Sequence, residues 1–357
     1  MKRILNILFL LTFFGGNIYA QATAFTLSND KTLSTSLSES SGLTYCRGKL
    51  WTHNDSGNGP KIYALNPSNG TIIQTITLEG VINNDWEDLA SDGYHLYIAD
   101  TGNNVNGART NLAILKLNLD DIPTTGDVAI PFEKIEIIRF YYPEQGETPS
   151  PVAANSSPYD CEAILIRNDV IHLYTKDWSS ANAGYSTSEY LLPNIPHPQG
   201  MKYAAKFFNQ HNKIGFLVTS ADNAGINQVA LIGYKNEKDL GMHYIRIYSD
   251  FEGDDISTGK IYTKNLGSPL SMGQVEAICF GEDPFTGYIS NEQFSMSIIN
   301  YSAKIKTFDL SYIPSDKENI TTGTAGGGIQ GAIRYNTQMM HLEGFNGLHW
   351  IPLDINN

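Results

Sequence analysis

Along this chain apolar residues recur at every second position far more often than at every third or fourth. The runs "KLWTHND", "HLYIADT", "VIHLYTKD", "QVALIGYKN" and "GYISNEQ" mix aromatic and β-branched residues with polar ones, and each ends in turn-forming residues. No long amphipathic helix interrupts them. This period of two predicts short β-strands throughout, and 20 Tyr with 32 Gly suit strands and turns. The predicted class is all-β.

Acidic residues set against these runs expose a repeat. Each unit holds an acid, a first strand, a turn, and a second strand with a polar tip. Glu39 precedes Asp55 by 16 positions, Glu87 precedes Asp100 by 13, and Glu162 precedes Asp177 by 15. Asp222 precedes Glu237 by 15 and Glu276 precedes Glu292 by 16. Successive units start 48, 75, 60 and 54 residues apart, the length of a four-stranded blade with loop insertions. Third and fourth strands follow in places, as in "KIYALN" and "TIIQTITL" or "LAILKLN" and "KIEIIRFYY". Such blades bury both faces only by stacking around a channel, so the expected fold is a β-propeller of five to six four-stranded blades. "AFTLSNDKTL" is expected to supply the outer strand of the last blade and close the ring.

Residues 1–20 read as a cleaved signal peptide: Lys2 and Arg3, an apolar run from Ile4 to Phe14, and a small-residue end at Ala20. The propeller is expected over 21–312. The tail over 313–357 opens on the linker-like "TTGTAGGGIQG" and either completes the last blade, forms a degenerate sixth, or caps the fold. The expected location is secreted or periplasmic, with no membrane insertion, because the apolar run is too short to span a bilayer. A formal charge of −13 argues against nucleic acid as a partner. Cys46, Cys161 and Cys279 form neither a disulfide framework nor a zinc pattern. They read as core residues, or as one bridge with a free thiol.

In a propeller the first strand of each blade lines the channel, and the loops at one of its ends share a face. That geometry is expected to gather Glu39, Glu87, Glu162, Asp222 and Glu276 at one channel mouth as candidate metal ligands. It places Asp55, Asp100, Arg109, Lys176, Asp177 and Glu292 on the rim as candidate ligand-binding residues. Converging carboxylates repel one another unless protonated or neutralised, and calcium, with its flexible shell of six to eight oxygens, is the expected cofactor. The competing expectation is architectural: the same acids accept backbone N–H groups from the neighbouring blade. "NDSGN" and "ADTGNN" share Asp-[Ser/Thr]-Gly-Asn and predict tight loops in which Gly57 and Gly102 take positive φ. His53, Lys176 and Arg109 are either acid–base or anion-contact groups, or counter-charges for nearby acids. Trp51 and Trp86 read as packing residues, and Trp178 as the exposed one. No nucleophile elbow, zincin helix or phosphate loop is present.

The stretches "ESSGLTY", "DWEDLASDGYHLYIADTGNN", "DCEAIL", "VTSADN" and "QVEAICF" resemble secreted bacterial propellers of the esterase-like phytase and SdiA-regulated group. The resemblance spans roughly residues 36–312. It implies channel-facing roles for Glu87, Glu162 and Glu276, from which Glu39 and Asp222 depart in pattern. Two functions stay open. One is a binding protein for a small molecule or extracellular ligand with an acidic, calcium-binding mouth. The other is a calcium-dependent hydrolase of phosphoesters or lactones, which needs no Ser or Cys nucleophile.

Overall fold

Burial falls from strand to strand in a way that fixes the radial order. "CEAILIR" (Cys161–Arg167) is buried along its whole length, whereas "KIYTKNLG" (Lys260–Gly267) keeps no fully buried residue. A strand walled on both faces reads as a continuous apolar run, and an outer strand alternates. Inner strands therefore carry the small and aliphatic residues, and outer strands carry Lys, Thr and Tyr.

The computed structural model describes residues 25–225, 227–235, 241–296, 299–310, 333–336, 341–345 and 350–352. The expected leader, the Gly-rich segment and Glu237 lie outside these residues. The chain divides into two compact units, one over Phe25–Ser311 and the other combining Met1–Ala24 with Tyr312–Asn357.

The first unit is a five-bladed β-propeller. The outermost strand of the last blade is β1 (Thr26–Thr32). Blade one runs outward through β2 (Ser40–Cys46), β3 (Lys49–Asn54), β4 (Lys61–Leu65) and β5 (Ile72–Leu78). Blade two comprises β6 (Trp86–Ser91), β7 (His95–Asp100), β8 (Ala113–Asn118) and, after the short β9 (Val128–Ile130), β10 (Ile135–Tyr141). Strand β9 adds in parallel to the edge of β5. Blade three holds β11 (Cys161–Arg167), β12 (Val170–Thr175), β13 (Thr187–Pro193) and, beyond β14 (Tyr203–Ala204), β15 (Lys206–His211). Strand β14 pairs in parallel with β10 of the preceding blade. Blade four is β16 (Leu217–Asn223), β17 (Gln228–Tyr234), β18 (His243–Ser249) and β19 (Lys260–Gly267). Blade five joins β20 (Gln274–Phe280) and β21 (Thr286–Glu292), and, past the hairpin of β22 (Phe294–Met296) with β23 (Ile299–Tyr301), β24 (Lys304–Asp309).

Strand β1 completes blade five by pairing antiparallel to β24, from Thr26 opposite Asp309 to Thr32 opposite Lys304. The start and the end of the ring thus share one sheet, with Asp30 bridging Lys304 and Lys306. The sequence expectation of five to six blades resolves to five. In the second unit the described strands β25 (Ile333–Asn336), β26 (His341–Phe345) and β27 (Trp350–Pro352) form an antiparallel sheet of their own.

The core lies between blades. Trp51 and Ile76 of blade one meet Trp86, Ile98 and Leu115 of blade two. Tyr97 and Phe140 meet Ile164, Leu173 and Tyr190 across the next junction. Leu43 and Leu50 meet Cys279 and Ile305 where the ring closes. All three cysteines are buried free thiols, so no bridge forms.

Candidate functional site

Strand register decides which residues surround the channel mouth. Ser40 faces Asn54, Trp86 faces Asp100, Cys161 faces Thr175, Val218 faces Gly233 and Val275 faces Asn291. The residue after each inner-strand member is Ser41, Glu87, Glu162, Thr219 and Glu276. The residue after each partner is Asp55, Thr101, Lys176, Tyr234 and Glu292. The residue two before each of these inner-strand positions is Glu39, Asp85, Asp160, Leu217 and Gln274. Backbone bonds repeat the frame: Asp55 N–H to Glu39 O, Thr101 N–H to Asp85 O, and Lys176 N–H to Asp160 O. In blade one Glu39 occupies the position of Asp85, two residues before that of Glu87. In blade four Asp222 falls three residues past the equivalent Thr219.

A cavity of about 230 Å³ opens at this mouth. Its lining includes Ser41, Asp55, Glu87, Asn104, Asn155, Glu162, Lys176, Trp178, Tyr234, Gln274, Glu276 and Glu292. Of the sequence candidates, the structure thus brings together Asp55, Glu87, Glu162, Lys176, Glu276 and Glu292. Asp85 and Asp160 join them, because Asp55, Asp85 and Glu87 form one close carboxylate group and Glu87, Asp160 and Glu162 form a second. Within each group one oxygen per residue lies within 4.8 Å of the others.

The electrostatics follow from packing acids into a narrow space. Burial pushes Glu87 well above the usual carboxylate range, and Glu162, Asp55, Asp160 and Asp85 reinforce it. Burial and Asp55 raise Asp85 to about 6. Burial raises Glu276 to about 7, and burial with Glu276 and Asp55 raises Glu292 to about 9. Lys176 Nζ donates to Glu162 Oε2 at 2.9 Å and lies 4.9 Å from the ring centres of Trp178 and Tyr234. Burial opposes its charge, yet Glu162, Tyr234 and Glu276 overcome this and push Lys176 above the ordinary lysine value. Asp160 is held in place by Asn103 N–H at 2.5 Å and Trp178 Nε1–H at 2.7 Å. Glu87 differs from both. It is 6% exposed, and among the described residues no donor reaches its carboxylate.

The other candidates sit elsewhere. Glu39 is exposed and accepts from Asn58 Nδ2 at 2.5 Å. Asp100 turns away from the cavity to Arg109, at 2.7 Å, and to Asn84 Nδ2, at 2.6 Å. Arg109 also holds Gly102 O at 2.7 Å, so it braces the loop. Asp177 accepts from Ser179 Oγ at 2.5 Å and heads the 3₁₀ turn Trp178–Ala183. Asp222 accepts Phe280 N–H at 2.7 Å across the blade four to blade five junction, the architectural role that the sequence also allowed. Asp88 fills that role at the channel centre. It accepts N–H groups from Leu89, Ile164 and Ala221 and a hydroxyl from Ser220, whose Oγ in turn accepts Ile278 N–H. Trp51 and Trp86 are core residues, and half-buried Trp178 walls the cavity.

The sequence held a signal for the two missed acids. "DWE" and "DCE" both place an Asp two residues before the inner-strand Glu, just ahead of the strand, where extended backbone puts the two side chains on the same side. The two shared loops also differ. Gly57 has a φ of +78°, as expected, whereas Gly102 is not in the left-handed region. Gly102 instead meets a limit of space: a Cβ there would fall on Glu87 Oε1 and Asp85 Oδ2.

No protein-family model matches the chain, and no curated protein matches it. Solved structures similar to it include Kuenenia stuttgartiensis hydrazine synthase, at 12% identity and a TM-score of 0.33 over 70% of this chain and 61% of that one. The computationally designed Ika4 protein is similar at 8% identity and a TM-score of 0.28, over 67% of this chain and 99% of that one. PorZ, a surface component of the type-IX secretion system of Porphyromonas gingivalis, is similar at 12% identity and a TM-score of 0.33, over 78% of this chain and 33% of that one. At these scores the likenesses carry no argument about function.

Proposed function

We propose that this chain is an exported binding propeller whose acidic cavity holds a divalent hard cation, calcium first, and presents it to a small extracellular ligand. Asp55, Asp85 and Glu87 would hold the ion, with water completing the shell. The observation that carries this reading is Glu87: a carboxylate buried among other acids, aimed into the cavity, with no donor from the protein. Burial among like charges disfavours the ionised form of such a group, as its raised pKa reflects, and a bound cation would favour that form instead. Oxygens within 4.8 Å of one another suit an ion that sits roughly 2.3–2.6 Å from each. Export over residues 1–20 belongs to the same proposal, since calcium is plentiful outside the cell.

Equilibrium dialysis against calcium at neutral pH tests it. Wild-type protein is expected to bind, and Glu87→Gln to bind at least tenfold more weakly; equal binding by the two rejects the assignment. A calcium-dependent hydrolase of phosphoesters or lactones is the second reading, in keeping with the resemblance of the strand-start motifs to esterase-like phytases. Lys176 favours it, because a cation in the cavity wall offers an anion contact beside the metal. Turnover abolished by EDTA would select it over simple binding.

A further inference from the structure

We infer that Lys176 is a tethered cation that closes a second metal position in the same cavity, so that the site takes one divalent ion instead of two. This rests on the cation-binding reading above and goes beyond it, since it concerns the number of ions admitted and what sets it.

Two carboxylate groups share Glu87, and either alone offers three close oxygens. They differ in their neighbours. The Asp55, Asp85 and Glu87 group has no lysine bonded to any of its carboxylates among the described residues: Lys176 acts on Asp55 and Arg109 on Asp85 only through space, and Arg109 is engaged with Asp100 and the backbone of Gly102. In the Glu87, Asp160 and Glu162 group, Glu162 already carries the Lys176 ammonium at 2.9 Å. That ammonium has few other places to go. Its stem is buried, Trp178 and Tyr234 flank it at 4.9 Å, and Glu276, in the same cavity wall, also favours its charge. A divalent ion entering the second group would face this fixed charge at short range, in a space where water screens poorly. The chain therefore supplies one of its counter-ions covalently and leaves the other position for a soluble cation.

Glu87, with no protein donor, is the independent sign that this cluster is completed by something outside the chain. The shared ligand also makes the two positions communicate: an ion in the first draws Glu87 toward it and leaves Asp160 and Glu162 to Lys176.

Calorimetric titration with calcium alone, on purified folded protein, decides the matter. Wild type is expected to bind one ion, Lys176→Met two, and the double variant Lys176→Met with Glu162→Gln one again. Lys176→Gln, which keeps a polar group beside Glu162, is the second variant should Lys176→Met not fold, and it too is expected to bind one ion more than wild type. A folded Lys176 variant with the same stoichiometry as wild type overturns the inference. If wild type binds no calcium, the proposed function fails and the inference with it; one ion bound by wild type and by a folded Lys176 variant alike overturns the inference alone.

Discussion

Among single residues, Asp222 and Glu87 show how one side-chain type divides into two trades. Asp222 has its backbone donor, Phe280 N–H, and burial still raises it to about 7 from 3.8. A folded state that holds this carboxyl in its protonated form is favoured at low pH. The contribution is present in full below about 4, is lost as pH rises toward 7, and changes little above. In EDTA, the urea midpoint of wild type is therefore expected to fall between pH 5 and pH 8. In Asp222→Asn the part due to this group, on the order of a few kcal/mol at most, should vanish; a pH profile unchanged by the substitution would show that Asp222 does not supply it. Glu87 has no such donor. That difference was not legible in the chain, where both residues read as acids near an inner strand. The Asp-x-Glu spacing in "DWEDLA" and "DCEAIL" was legible, and it carries four of the acids that meet at the mouth.

Elements decide the rest through register. The inner strands bulge near their starts, between Ser41 and Leu43, Trp86 and Leu89, Cys161 and Ala163, Val218 and Ser220, and Val275 and Ala277. A bulge shifts which side chain faces the channel, and nothing in local composition marks it. Counting from acid to acid therefore placed Glu39 two residues early and Asp222 three residues late. It also put Asp100 and Asp177 one step away from the true tips, Thr101 and Lys176. The strands themselves were readable, because alternation and turn residues are local. One bulge carries Asp88, which ties blades two, three and four directly and blade five through Ser220. Asp88→Ala leaves buried backbone donors of Ile164 and Ala221 unpaired. It is expected to cost about 3 kcal/mol or more in chemical denaturation, and a loss near zero would show that the ring does not depend on this centre.

For the ring as a whole, residues spread from Ser41 to Glu292 become neighbours because the circle closes, with β1 completing blade five beside β24 and blade one packing against it. The number of blades was the least legible global property. A closing strand borrowed from the other end of the unit looks, in sequence, like an unpaired strand, and a tail with strand-like runs looks like another blade. The acidic mouth follows from closure, since five inner strands pointing the same way bring their starts to one face. Its excess of carboxylates over the single lysine is the physical case for a cation.

A crystal structure of the wild-type protein grown in calcium tests that case most directly. The account expects an ion among Asp55, Asp85 and Glu87, with oxygens at roughly 2.3–2.6 Å and Lys176 still on Glu162. A cavity free of any cation, with the Glu87 carboxyl bonded to a donor of the protein itself, would contradict it.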